Sequence, residues 1–199
     1  LYTMLDEAKD WNGDCLMIHD VITERFKDAK SGTARRQMYE NGHNEKQPIG
    51  SYSITLGHTF RGYISPTQSR KPSQIFKSLF ETKYLTNNKD IFYLLKEFVE
   101  KYKPNFEFTE IQINYNWRSP KHKDKANQNN SLIIGLGDYT GGELIIDKND
   151  DDGCSFWESN NIHCKFLQFN GGKYTHWVDP WEGNRLTIVF YNLRAKKIN

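Results

Sequence analysis

The chain has 199 residues, a net charge of +2 and 14% aromatic residues. This length suits one domain with a sizeable buried core. No apolar run approaches the roughly 18 residues of a membrane-spanning helix, so no membrane partner is expected. Three cysteines cannot all pair within one chain. We therefore expect no disulfide framework and an intracellular, reducing compartment, which in a eukaryote would be the nucleus.

The first fifty residues are predicted to form an N-terminal extension that contains a polar loop. The stretch DCLMIHDVITERFK is compatible with a short helix or with a strand and a turn. Residues 30–50 are polar and contain Gly and Pro, which is typical of a long loop. The alternating segment SYSITLG at 51–57 predicts a strand, and the main domain is expected to span residues 51–199.

Two helices are predicted before residue 105. SQIFKSLFE at 73–81 follows Pro72 and repeats its apolar residues at helical spacing. NKDIFYLLKEFVEKYKP at 88–104 is the clearer helix, with Asn88 or Asp90 as its cap and Pro104 soon after its end. Its apolar face is predicted to consist of Ile91, Leu94, Leu95, Phe98 and Val99.

From residue 105 the apolar period changes from about 3.6 to 2, which indicates strands. Six short candidates are separated mostly by Gly, Asn, Asp or Pro turns: FEFTEIQINYNW, SLIIGLG, GELIID, HCKFLQFNG, KYTHWV and NRLTIVFYNL. The predicted fold class is α+β. Its core, about 105–193, is expected to be a double-stranded β-helix of jelly-roll or cupin type with supporting helices on one face.

A candidate metal site begins with His122 and Asp124. Residues two apart on a strand share a face, so both side chains are expected to point inward. Non-haem Fe(II) oxygenases use two His and one carboxylate on one face of the metal, with the other positions open. The second His must then come from a distant strand, and His176 in GGKYTHWVDPWEGNRLTIVF is the best candidate.

A candidate anion site follows nine residues later. Arg185 and Thr187 share a strand face, because they too are two residues apart. A guanidinium beside a hydroxyl suits the far carboxylate of a dicarboxylate co-substrate.

The order His-x-Asp, glycine-bearing strand, distal His and Arg-x-Thr resembles the Fe(II)/2-oxoglutarate-dependent dioxygenase superfamily over roughly residues 105–193. The finer pattern, NYNWRSPKHKDKANQNNSLIIGLGDYTGGEL followed by FLQFNGGKYTHWVDPWEGNRLTIVF, resembles the TET/J-binding-protein branch. That branch oxidises the methyl group of 5-methylcytosine or thymine in DNA. The resemblance implies an oxidoreductase that hydroxylates a C–H bond.

The resemblance also implies cofactors and site residues. Fe(II) would be held by His122, Asp124 and His176, and 2-oxoglutarate by Arg185 and Thr187. O₂ would be a co-substrate, with ascorbate as an assisting reductant. The superfamily's equivalent of IQINYNW lends an Asn or Tyr to 2-oxoglutarate, so the further candidates are Asn114, Asn116 and Tyr115.

Substrate contacts are expected near the basic residues that surround the His-x-Asp pair. Four of the nine residues 117–125 are Lys or Arg, and such a cluster attracts nucleic acid. The basic, polar stretch at 59–74 is a second candidate DNA contact. Individual candidates for binding substrate are Arg118, Asn127, Asn130, Tyr139 and Trp177.

Three functions stay open at this point. The first is a nucleic acid base oxygenase, with DNA favoured over RNA. The second is a protein hydroxylase, for example of proline, or a small-molecule hydroxylase that uses the same iron chemistry. The third is a catalytically inactive jelly roll that binds nucleic acid. No obligate protein partner can be inferred.

Overall fold

The computed structural model describes residues 10–32, 46–61, 78–148 and 156–193. Its helices are α1 (Trp11–Arg25), α2 (Lys83–Asn87) and α3 (Lys89–Tyr102). Its strands are β1 (Tyr52–Leu56), β2 (His58–Arg61), β3 (Ser78–Glu81), β4 (Glu110–Tyr115), β5 (Asn127–Leu136), β6 (Tyr139–Gly141), β7 (Leu144–Asp147), β8 (Trp157–Asn160), β9 (Leu167–Phe169), β10 (Thr175–Val178), β11 (Trp181–Gly183) and β12 (Leu186–Leu193). No helix in these ranges is long and apolar enough to cross a membrane.

The helix α3 confirms the prediction for residues 88–104. Its N-cap residue is Asn88, although no side-chain hydrogen bond caps the helix, and it ends at Tyr102, two residues before Pro104. The five predicted apolar residues are all buried. Phe98 is fully buried and stacks against Trp11 of α1, with ring centroids 5.8 Å apart. The helical period of the apolar residues therefore sets which face of α3 packs inward.

The helix α1 lies in the N-terminal part and joins the same core. Asp10 caps it by accepting a hydrogen bond from the amide of Gly13 at 2.8 Å. Its buried apolar residues, Cys15, Ile18 and Ile22, belong to the cluster that α3 and the large sheet share. The boundary at residue 50 stays a prediction, and residues 33–45 of the expected polar loop lie outside the described residues.

A five-stranded antiparallel sheet in the order β1-β4-β12-β5-β9 forms the larger layer. Alternation gives it two different faces. The face toward the helices is apolar and fully buried, as shown by Ile111, Ile113, Ile134, Ile188 and Phe190. The opposite face carries mostly polar residues at the centre of the sheet, among them Gln112, Asn114 and Thr187.

A smaller antiparallel sheet in the order β10-β7-β8 packs against that second face. The cluster between the two sheets consists of Ile133, Leu144, Ile146, Ile162 and Phe169. Two stacked antiparallel sheets with helices on one outer face match the predicted α+β jelly-roll architecture. The fold class is therefore confirmed.

One predicted element is wrong in its described part. Residues 78–81 form strand β3, which pairs antiparallel with β2, instead of the end of a helix. Pairing with His58–Arg61 overrides the local helical spacing, since a short apolar run fits either period. The rest of the predicted helix lies outside the described residues, as does most of the stretch at 59–74.

Candidate metal centre

Three potential metal ligands converge at the open edge of the smaller sheet. The Nε2 atoms of His122 and His176 lie 3.6 Å and 3.4 Å from the two carboxylate oxygens of Asp124. One ligand atom from each residue lies within 4.8 Å of the others. This is the only such group of three or more His, Cys, Asp or Glu residues among those that the structure describes.

Backbone pairing brings these distant residues together. His122 and His176 face each other across an antiparallel bridge, with N–H···O distances of 3.1 Å and 2.9 Å. Residues near 122 thus extend the smaller sheet beyond β10. The amide of Asp124 donates to the carbonyl of Gly171 at 2.8 Å, which fixes the carboxylate beside the two rings.

The imidazoles are oriented by their other nitrogens. The Nδ1 of His122 lies 2.6 Å from the carbonyl oxygen of Pro120, and that of His176 lies 3.0 Å from that of Tyr174. A carbonyl oxygen only accepts, so in the neutral ring each Nδ1 carries the proton and each Nε2 presents a lone pair. Histidines that bind a metal through one ring nitrogen typically donate a hydrogen bond from the other.

The site is closed on one side and open on the other. His176 is buried and meets the edge of Phe169, with ring centroids 5.0 Å apart. The side chains of His122 and Asp124 are each about one-third exposed, at 38% and 33%. Gly171 completes the closed side, since a Cβ there would lie 3.0 Å from an oxygen of Asp124. Two imidazoles and a carboxylate with open space opposite fit a non-haem Fe(II) ion.

A cavity of about 460 Å³ extends from the three ligands between the two sheets. Polar side chains of the larger sheet line it and are linked to one another: the hydroxyl of Ser53 donates to Asn114 at 2.6 Å, and the amide of Gln112 donates to Ser53 at 2.9 Å. The Nδ2 of Asn114 lies 3.4 Å from the hydroxyl of Thr187. The cavity therefore joins the metal centre to fixed hydrogen-bonding groups.

Arg185 also lines this cavity and is only 3% exposed. One guanidinium nitrogen donates to the carbonyl of Gly142 at 2.9 Å, while its Nε is buried without a hydrogen-bond partner in the described chain. The rings of Tyr139 and Trp181 each lie 5.4 Å from the guanidinium carbon. Burial lowers the pKa of Arg185, while the nearby Tyr139 acts in the opposite direction. No salt bridge joins Arg185 to a described carboxylate, so the site suits an anionic ligand.

The remaining co-substrate candidates lie in different places. Asn114 lines the cavity. Asn116 follows β4 with a φ of 46°, and its side-chain oxygen accepts from the amide of Arg185 at 2.7 Å. Asn116 therefore positions the start of β12 and does not line the cavity. Tyr115 lies on the helix side, where it stacks on Tyr52 at 5.4 Å. The alternation of β4 thus separates Tyr115 from Asn114.

The predicted substrate-binding residues also separate. Asn127 and Trp177 line the metal cavity. Arg118 lies beside it, in a second pocket that Trp177 also lines. Tyr139 instead packs between Arg185 and His163, and Asn130 is exposed on β5 without lining either cavity.

Ser53, Gln112 and Gly171 are site residues that the sequence did not single out. The alternation in SYSITL assigns Ser53 to one face of β1, and that in IQIN assigns Gln112 to one face of β4. It does not reveal that β1 and β4 are neighbours in the sheet. The pair Gly171 and Gly172 ahead of His176 was a visible signal, since adjacent glycines often permit close approach of other groups.

No protein-family model and no curated protein match the chain. Three solved structures with similar folds are NgTET1 in complex with 5mC DNA, an oxidoreductase of the 2OG-Fe(II) oxygenase family from Burkholderia pseudomallei, and a Pseudomonas putida prolyl-4-hydroxylase. Their identities are 15%, 11% and 15%, and their TM-scores are 0.47, 0.46 and 0.42. The matches cover 90%, 94% and 90% of this chain, and 70%, 92% and 88% of those chains.

The similarity is one of fold. The chemistry of this chain follows from its own side chains.

Proposed function

We propose that the chain is an Fe(II)- and 2-oxoglutarate-dependent dioxygenase. The observation that carries this proposal is the convergence of His122, Asp124 and His176 at one end of a cavity that also contains the buried Arg185. Three donors on one side of a metal leave positions for a co-substrate and O₂. A buried cation without a carboxylate partner among the described residues supplies the anchor for an acidic co-substrate.

Each residue has a defined task in this proposal. His122, Asp124 and His176 would hold the metal, with their orientation fixed by the carbonyls of Pro120, Tyr174 and Gly171. With iron, 2-oxoglutarate and O₂ bound, oxidative decarboxylation supplies the oxidant that hydroxylates a substrate C–H bond.

The larger sheet would bind the co-substrate. Arg185 would pair with the far carboxylate of 2-oxoglutarate, and the hydroxyl of Thr187 would donate to the same group. Asn114, held by the hydroxyl of Ser53, would contribute a further hydrogen bond. The closed side of the site, formed by Phe169 and Gly171, would exclude water from the ligands.

We propose the methyl group of 5-methylcytosine or thymine in DNA as the target. Support comes from the His-x-Asp and Gly-Asp-Tyr-Thr-Gly-Gly motifs, which resemble the TET/J-binding-protein pattern, and from the basic residues around the metal ligands. Lys121, Lys123 and Lys125 flank the ligands His122 and Asp124. A base inside a duplex cannot reach such a cavity, so the target nucleotide would turn out of the stack.

Nucleoside mass spectrometry tests this proposal. The protein is incubated with Fe(II), ascorbate, 2-oxoglutarate and duplexes that contain 5-methylcytosine or thymine, and His176→Ala serves as the control. A gain of one oxygen on either base, absent from the control, is the expected result. Succinate formation without a modified base would retain the iron chemistry and reject the DNA substrate. The substrate would then be sought among proteins, beginning with proline-containing peptides, and small molecules.

A further inference from the structure

A second pocket of about 570 Å³ lies directly beside the metal cavity. The two share Ser119, Pro120, Trp177 and Val178 as a common wall. This wall consists of the two segments that carry two of the metal ligands, because His122 and His176 face each other across an antiparallel bridge.

The side chains next to the metal ligands lie differently. His122 and His176 face the metal cavity, Lys121 lines only the second pocket, and Trp177 lies in the wall that both cavities share. The ammonium of Lys121 lies 4.2 Å from the ring centroid of Trp177 and 4.7 Å from that of Trp157. These two indoles hold the cation at the rim of the pocket.

The pocket combines flat aromatic surfaces with positive charge. Trp177 and Trp181 line it, together with Arg118 and Lys121; Asp179 is the one carboxylate among the described residues of its wall. Asp179 accepts a hydrogen bond from the indole nitrogen of Trp177 at 3.3 Å. Indole faces stack on nucleobases, and cations contact the phosphates between them, which together are the means of binding single-stranded nucleic acid.

We infer that this pocket binds the nucleotide that adjoins the target in the same strand. The inference rests on the proposed nucleic acid substrate. The target base would occupy the metal cavity, and its neighbour would stack on an indole in the second pocket. The phosphate between the two nucleotides would pass over Pro120 in the shared wall, where Lys121 would contact it. The pocket would thereby distinguish a nucleotide within a strand from a free nucleotide.

Two variants with opposite expected effects test this role. Lys121→Gln removes the cation at the rim. Asp179→Asn removes the carboxylate that the described residues contribute to the pocket, and it retains an oxygen that can accept from Trp177. Lys96→Gln is the matched control for lost charge, since Lys96 is exposed on α3, behind the larger sheet. Trp181 is left intact because it also contacts Arg185.

The measured quantity is the ratio of dissociation constants for 5-methyl-deoxycytidine monophosphate and for a trinucleotide with 5-methylcytosine at its centre. Both are titrated anaerobically into protein loaded with Fe(II) and 2-oxoglutarate. The wild-type protein and Lys96→Gln should bind the trinucleotide on the order of tenfold more tightly, as one stacked base provides. Lys121→Gln should reduce this preference severalfold and lessen the salt dependence of trinucleotide binding, with a slope lower by about 0.7. Asp179→Asn should increase the preference.

Three results would overturn the inference, and they identify what has failed. Equal binding of both ligands by a protein that oxidises the base in DNA would reject the pocket and leave the proposed function intact. An undiminished preference in Lys121→Gln would also reject it. Binding of neither ligand, together with succinate formation that requires His176, would reject the DNA substrate itself and the pocket with it.

Discussion

Gly171→Ala should weaken metal binding without changing any metal ligand. A Cβ at position 171 would lie 3.0 Å from the Oδ2 of Asp124, 3.2 Å from the Cε1 of His176 and 3.2 Å from the Cε2 of Phe169. The φ of Gly171 is outside the left-handed region, so alanine fits the backbone itself. The effect of the substitution is therefore confined to the space beside the ligands.

The size of the effect follows from these distances. Unstrained contacts between heavy atoms lie at about 3.5 Å or more, so the carboxylate oxygen must withdraw by about 0.3–0.5 Å. Metal–ligand distances hold to within about 0.2 Å. Displacing the supports of a metal ligand lowers affinity by about 10- to 100-fold. We expect a loss in this range for Gly171→Ala.

Gly172→Ala is the matched control. A Cβ at position 172 has its nearest neighbours at 3.3–3.5 Å, namely the backbone oxygens of Asn127 and Asp124 and the side-chain oxygen of Asn170. These contacts are closer than an unstrained contact by at most about 0.2 Å, and none involves an atom that would bind the metal. We therefore expect a smaller loss of metal affinity for this variant. Anaerobic calorimetric titration with Fe(II) measures both affinities, and thermal unfolding of the metal-free proteins verifies that both variants fold.

Equal metal affinity in the two glycine variants would refute the reasoning. It would mean that the carboxylate of Asp124 moves away from position 171 at no cost, or that Asp124 does not bind the metal. A loss of affinity that merely follows a loss of folded protein would contradict it as well.

The remaining predictions concern the co-substrate, the core and a buried thiol. Arg185→Gln should raise the KM for 2-oxoglutarate about 10- to 100-fold, because a hydrogen-bonded charge pair is lost. In the same steady-state assays the KM for the nucleic acid should change little. An unchanged KM for 2-oxoglutarate would mean that another residue binds its far carboxylate. Phe98→Ala should lower the free energy of unfolding by about 3–5 kcal/mol, since Phe98 is fully buried among aromatic rings. Urea denaturation measures the free energy of unfolding, and a loss below about 1 kcal/mol would contradict the packing. Cys15 should resist iodoacetamide at pH 8 in the folded protein, because burial raises the pKa of its thiol to about 12. Peptide mass spectrometry measures the alkylated fraction. Alkylation of Cys15 in the native state would contradict the described position of α1.

The repeating patterns of the sequence predicted most of the fold. The 3.6-residue period of Ile91 to Val99 determined the buried face of α3, and the period of 2 after residue 105 indicated the strands. The strand β3 was missed because its pairing with β2 is not a local property of residues 78–81. The contribution of α1 to the core was also invisible, since it depends on packing against α3.

The candidate site was predictable where two residues lie two positions apart, although His122 forms only an isolated β-bridge and Asp124 lies outside the strands. The spacing of His122 and Asp124, and of Arg185 and Thr187, fixes which side chains share a face. The support of these residues was not predictable, because it comes from other segments. The carbonyl of Gly171 positions Asp124, and Ser53 fixes Asn114. Only the strand order places those segments side by side.

The fate of 2-oxoglutarate under ¹⁸O₂ tests whether His122, Asp124 and His176 form a catalytic metal centre. The protein is incubated with Fe(II) and 2-oxoglutarate, and the succinate formed is examined by mass spectrometry beside the Asp124→Ala and His176→Ala variants. The wild-type protein should form succinate with one ¹⁸O atom, and both variants should form no more than a protein-free control. Equal succinate from the wild-type protein and the variants would contradict a metal centre at these residues.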